Sequence, residues 1–222
     1  MKLLILSSLV TILIPIVLIG FGLRLLLTPL FLRIEYSMPY FPPDDFGFTR
    51  EDRLKWAPYA LDYLVNNAEI SYLGDLKFDD GTPLYNEREL SHMDDVKRVT
   101  QGALRVWYGA LAVLLLLGIW AWSGGWWSEY RLGLMRGGWL MVGLALTVGL
   151  IVVIGMVINP DVFWSFFAGF HSLFFEGDSW LFLYSDTLIR LFPIRFWQDA
   201  FLLAAAIALG GGIALALGLR TK

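Results

Sequence analysis

The chain has 222 residues, a hydrophobic fraction of 57%, an aromatic fraction of 16% and a formal charge of −3. Soluble domains run at roughly 45–50% apolar, so this excess with a positive mean hydropathy marks an integral membrane protein. The missing basic excess excludes a nucleic-acid stripe. With no cysteine, there is no disulfide, thiolate nucleophile or Cys-bound metal.

Leu3 to Leu23 is nearly unbroken hydrocarbon around Pro15, long enough to cross a core of ~30 Å. The run exceeds a signal peptide's h-region and no A-x-A site follows, so a retained first span (3–23) is expected. From Arg33 to Arg98 the character changes, with eight Lys/Arg and fourteen Asp/Glu. Residues 33–100 therefore read as a water-facing cap. Within it, Thr49 and Asp52 make a capping pair ahead of a helix running to Val65. Tyr72 to Tyr85 is loop or short strand. Asn86 with Glu89 opens another helix, which runs into a second span at 103–122. A Gly-, Trp- and Arg-containing loop is expected over 123–138, a third span over 139–158 and a fourth over 200–219. Gly210-Gly211-Gly212 in the last suits close helix packing. The expected fold is thus all-α, one membrane domain over 1–222 with four transmembrane helices, an extracytoplasmic cap and an interfacial aromatic segment at 159–199. Lys2, Arg131, Arg136, Arg220 and Lys222 share one side, which predicts both termini cytoplasmic and the cap outward.

The segment 159–199 holds the densest chemistry. Thirteen aromatic residues lie between Phe163 and Trp197, yet His171, Glu176, Asp178, Asp186 and Arg190 lie among them. Ionisable groups beside hydrocarbon mark a functional site by default; an amphipathic segment in the interface is the plainer alternative. His171 falls late in a helix expected over 160–175, capped by Asn159 with Pro160 at the first position and ended near Gly177. The other histidine, His92, lies in ELSHMDDVK, where Glu89 and Asp95 flank it at three-residue spacing and either carboxylate has the reach to orient the imidazole. No H-x-x-x-H or H-E-x-x-H spacing accompanies His92, Asp95, His171 and Asp178, so neither metal nor cofactor is expected. No G-x-S-x-G elbow accompanies Ser91 or Ser172. Tyr36 and Tyr40 suit an aromatic belt or a headgroup pocket, and Arg190 and Arg195 suit interfacial anchors.

ELSHMDDVK, followed by a span and then by FAGFHSLFFEGDSWLF, SDTLIRLFP and FW, resembles the bacterial lipoprotein intramolecular transacylase (Lit) family of four-span membrane proteins. The resemblance extends from Tyr36 to the last span. It implies a four-helix membrane domain with an extracytoplasmic cap, and His92 and His171 as catalytic residues. The implied substrate is a diacylated lipoprotein N-terminus. Its sn-2 acyl chain moves from the S-diacylglyceryl cysteine to the α-amine of the same molecule, giving a lyso-form lipoprotein. Two imidazoles suit such acid–base work, and the enzyme itself needs no acyl intermediate. Tyr36, Asp95, Phe174, Phe175, Asp178, Trp180 and Arg190 are the candidate substrate-lining positions, with Phe167 and Phe170 as further apolar wall. A membrane lipid-binding or assembly subunit without catalysis is the alternative, and acyl transfer to another acceptor or hydrolysis is a second enzymatic one.

Overall fold

The computed structural model describes residues 2–159 and 161–219. Pro160, expected at a first helical position, and Arg220 and Lys222 of the charge bias lie outside the described residues. The helices run in the order α1 (Lys2–Leu26), α2 (Pro29–Glu35), α3 (Arg50–Val65), α4 (Ser71–Gly74), α5 (Glu87–Ser123), α6 (Trp127–Ile158), α7 (Val162–Ser172), α8 (Thr187–Leu191) and α9 (Ile194–Gly218). Four of them (α1, α5, α6 and α9) are long and apolar enough to cross a membrane. Two compact units divide the chain.

The first unit comprises Met1–Arg24, Ala103–Val162 and Leu202–Lys222. Lipid is as apolar as leucine, so its helices associate through small residues that let backbones approach. A Cβ on Gly138 of α6 would stand 2.6 Å from the Gly212 carbonyl of α9, and one on Gly133 would stand 2.7 Å from the Ser7 carbonyl of α1. The triple glycine is therefore used where α9 meets its neighbours: Gly211 faces Leu18 and Gly212 faces Gly138. Polar groups are few: the Ser7 hydroxyl and Trp126 Nε1 are buried without a hydrogen-bond partner among the described residues, while others reach backbone carbonyls. Trp107 Nε1 donates to Val17 O at 3.0 Å and the Tyr130 hydroxyl to Leu114 O at 3.0 Å. The loop expected over 123–138 is mostly helix, since α5 ends at Ser123 and α6 begins at Trp127. Gly125, at φ 75°, makes the turn. Trp126 and Tyr130 then bury against Leu114, Leu117 and Ala121, which draws the helix start forward.

The second unit comprises Leu25–Gly102 and Phe163–Phe201. Its core gathers Leu32, Trp56, Tyr63, Leu73, Leu84 and Leu191. The Thr49 and Asp52 pair forms a capping box on α3. The stretch left open between loop and strand is one helical turn, α4, followed by a single bridge between Lys77 and Pro83. Two cations are buried here with polar partners. Arg53 donates to the Arg190 and Pro42 carbonyls, and Lys97 donates to Ala68 O and lies 3.8 Å over the Tyr63 ring.

The five-residue α8 is clamped from several sides. Leu188 N donates to Glu89 Oε1 at 2.7 Å, Thr187 Oγ1 donates to Leu84 O, and the Tyr36 hydroxyl donates to Leu191 O at 2.9 Å. A helix this short has little stability of its own, so these side chains fix it and the loop that leads into it.

Candidate active site

His92 lies on the second turn of α5. The turn before it is locked by the Asn86 and Glu89 pair: Asn86 N donates to Glu89 Oε2 at 2.8 Å, and Glu89 N donates to Asn86 Oδ1 at 3.0 Å. With Oε1 taken by Leu188 N, Glu89 spends both carboxylate oxygens on backbone amides. Asp95 turns instead toward Arg98, 3.9 Å away. The flanking acids expected to orient His92 therefore do other work. The ring is held by packing: Phe175 and Phe182 stand edge-on to it, at centroid distances of 4.9 and 5.2 Å. Its Nδ1 is buried with no hydrogen-bond partner among the described residues.

His171 lies in the last turn of α7. That helix is shorter than expected, ending at Ser172, and the chain leaves it through the Phe174 and Phe175 amides, which both donate to the His171 carbonyl. Gly177, at φ 56°, turns the following loop rather than capping the helix. His171 Nδ1 lies 2.8 Å from the Phe167 carbonyl. A carbonyl only accepts, so Nδ1 carries the proton and Nε2 of the neutral ring is left as an acceptor. Phe167 lies 4.0 Å and Trp180 4.8 Å from its ring centroid.

The two imidazoles, 79 positions apart in the chain, stand 6.3 Å apart, nearly parallel at 19°, and each is 8% exposed. Burial pushes the His171 pKa below its usual 6.5, and the hydrogen bond to Phe167 only partly opposes this. His171 is therefore neutral, and a competent base, at neutral pH. A proton acceptor facing a second imidazole among aromatic side chains is equipped for proton transfer.

Of the sequence candidates, His92, His171, Phe175 and Trp180 come together. Phe174 is 47% exposed and packs on Phe170, and Asp178 is exposed on the loop. Tyr36 is no belt residue: it is 4% exposed, its hydroxyl committed to Leu191 O. Arg190 pairs with Asp44 at 3.0 Å and stacks 3.6 Å over Phe48. Phe182, which closes over His92, escaped the sequence reading. It lies in a loop without periodicity, and only its place in the aromatic segment hinted at it.

Four apolar helices and a pair of facing, buried imidazoles define a multi-pass membrane protein with acid–base capacity in an apolar site. Residues 8–197 match the family model described as lipoprotein intramolecular transacylase Lit. The chain belongs to that family, an enzyme family of plasma-membrane transacylases acting on lipoproteins, and the reading as a non-catalytic assembly or lipid-binding subunit loses its footing. An uncharacterized protein of Aquifex aeolicus is 28% identical over 207 residues, covering 93% of this chain and 89% of that one. The solved membrane integral lipoprotein intramolecular transacylase Lit of Bacillus cereus superposes with a TM-score of 0.69 at 18% identity, covering 95% of this chain and 91% of that one. A single-substitution variant of that protein superposes at 0.66 with 20% identity, covering 97% and 89%. At those identities the likeness is one of fold.

Proposed function

We propose that this chain moves the sn-2 acyl group of an S-diacylglyceryl cysteine to the α-amine of the same lipoprotein, with His171 and His92 as catalytic residues. The observation that carries the reading is the facing pair itself, with the proton of one member fixed. The substrate amine attacks the ester carbonyl carbon and its N–H proton passes to His171 Nε2. The tetrahedral oxyanion is held by the N–H of His92. The C–O bond to the glyceryl oxygen then breaks, and that oxygen takes a proton from the imidazole pair. An amide forms, a hydroxyl is freed and the enzyme returns to its starting state with no net proton. Because nucleophile and ester share one molecule, the protein contributes mainly by confining a flexible substrate in a near-attack geometry. Phe167, Phe175, Trp180 and Phe182 form apolar walls suited to excluding the water that would hydrolyse the ester.

In this reading residues 33–100 and 159–199 form the outward-facing part of the membrane domain and both termini are cytoplasmic. Among the candidate positions, Phe175 and Trp180 contact the histidines and are assigned to the substrate walls. Tyr36, Asp95 and Arg190 act by building the frame. The test is expression in a bacterium whose lipoproteins are diacylated and lack N-acylation, with mass spectrometry of one N-terminal lipopeptide. Wild type is expected to give the N-acyl, mono-O-acyl peptide, and His92→Ala and His171→Ala to lose it by at least ~100-fold, as for a positioned acid–base group. Activity surviving in either variant would return that histidine to a packing role. Unchanged diacyl peptide with well-expressed wild type would reject the reaction.

A further inference from the structure

Helix α2 with the turn that follows it, and helix α3, each present a row at four-residue spacing to a shared groove of about 600 Å³: Pro29, Arg33 and Ser37 from the first, Arg50, Leu54 and Pro58 from the second. The rows are graded. At one end an Arg50 guanidinium N–H donates to the Ser37 hydroxyl at 2.6 Å, and the Ser37 hydroxyl donates in turn to the main-chain carbonyl of Arg33, whose side chain lines the same groove one turn back along the row. At the other end the lining is pyrrolidine and leucine. No carboxylate lines the groove, and neither arginine forms an ion pair among the described residues, in a unit where Arg98, Arg190 and Arg195 each do. Pro29, at the apolar end, stands three positions past the last residue of α1. Beside the row, α2 leaves Leu30 and Ile34 exposed at 65% and 48%, the mark of a helix lying in a lipid interface.

We propose that this groove binds the phosphate of an anionic glycerophospholipid between Arg33 and Arg50, with an acyl chain along the apolar end. The guanidinium fork matches phosphate oxygens in geometry and charge, and the gradient from proline to arginine follows the polarity of a phospholipid leaving the bilayer. The S-diacylglyceryl group assigned to the histidine site carries no phosphate, so this is a site for a different lipid, and it stands whether or not the histidine mechanism is correct.

The test is native mass spectrometry of the full chain from detergent micelles doped with phosphatidylglycerol, phosphatidylcholine or inorganic phosphate. Wild type should retain phosphatidylglycerol through activation that strips phosphatidylcholine, and Arg33→Gln/Arg50→Gln should retain it about tenfold less, the effect of losing one charge-assisted contact or more. Intrinsic tryptophan melting reports whether the double variant is folded. If it is not, Arg33→Gln alone, which removes an exposed guanidinium, carries the comparison. Equal retention by folded variant and wild type overturns the site. Displacement of phosphatidylglycerol by inorganic phosphate at equal concentration overturns the lipid as its source.

Discussion

The two units solve opposite problems with the same backbone. In the unit of long helices, backbones touch where glycine permits it, at Gly133, Gly137 and Gly138 of α6 and at Gly212 of α9, while Gly211 receives the Leu18 side chain, and polar side chains are scarce. In the other unit, short helices are held by side chains that cross between elements: Glu89 to α8, Arg53 to two carbonyls, Tyr36 to Leu191, Arg190 to Asp44. Lipid provides no hydrophobic drive between helices, so shape must supply it. A frame for catalysis needs fixed directions, and hydrogen bonds supply those. The sharpest way to break the contrast is to remove one member of each kind.

Glu89 carries the largest expected effect. It is 1% exposed and accepts from the Asn86 and Leu188 amides. Glu89→Ala leaves both amides without their acceptor, at ~1–3 kcal/mol each, so a total loss near 4 kcal/mol is expected in detergent unfolding. Transacylase activity should fall further than the folded fraction, because α8 loses its direct bond to the His92 turn, leaving the Asn86 bond to Asp186 and the Arg88 bond to Leu181 to hold the loop. Glu89→Gln keeps one acceptor oxygen and should recover about half of the stability. Equal behaviour of the Ala and Gln variants would reject the clamp.

Gly138→Ala is the matching cut in the helix bundle. Its Cβ would meet the Gly212 carbonyl at 2.6 Å and the Ala216 nitrogen at 2.8 Å, backbone atoms that cannot rotate away. Overpacking costs ~1–3 kcal/mol, and the upper end is expected here. Gly143→Ala, in the same helix with nothing within 4 Å of the added carbon, should be neutral or slightly stabilising from helix propensity. Neither should change kcat of the folded fraction. A similar shift in the two melting curves would remove close packing as the explanation.

Legibility in the sequence followed the same divide. The four spans and the triple glycine were readable because long apolar runs and small residues state their purpose locally. The two capping pairs were readable because a cap is a contact three residues long. What sequence spacing could not give was partner choice across the chain. Glu89 and Asp95 flank His92 in sequence, yet one serves Leu188, 99 residues on, and the other turns to Arg98. Tyr36 reads as an interfacial ring until its hydroxyl is found on Leu191. Arg190 reads as an anchor or a substrate ligand, but its fork is shared between Asp44 and the Phe46 carbonyl. Arg190→Gln is therefore expected to lower stability by ~1–3 kcal/mol while leaving the KM for lipoprotein unchanged. A raised KM with intact stability would return it to the substrate.

The smallest expected effect lies at Glu35, where the hydrogen-bonded unit hides an acid without a cation of its own. Its side chain is 3% exposed, Oε1 has no partner among the described residues, and the neighbouring Asp199 carboxylate is paired to Arg195 at 2.8 Å. Burial, and then the Asp199 charge, raise its pKa from the usual 4.5 to about 7, with Arg195 opposing weakly. Between those values the folded chain holds a proton that the unfolded chain has lost. The stabilisation is therefore complete below pH 4.5, declines as pH rises and is gone above about 7. Wild type should melt at a lower temperature at pH 8 than at pH 5.5. Glu35→Gln, a permanent mimic of the neutral acid, should flatten that part of the slope and melt higher than wild type at pH 8. Parallel pH dependence in the two proteins would mean that Glu35 is ionised in the fold and that Arg195, rather than a proton, neutralises the pair.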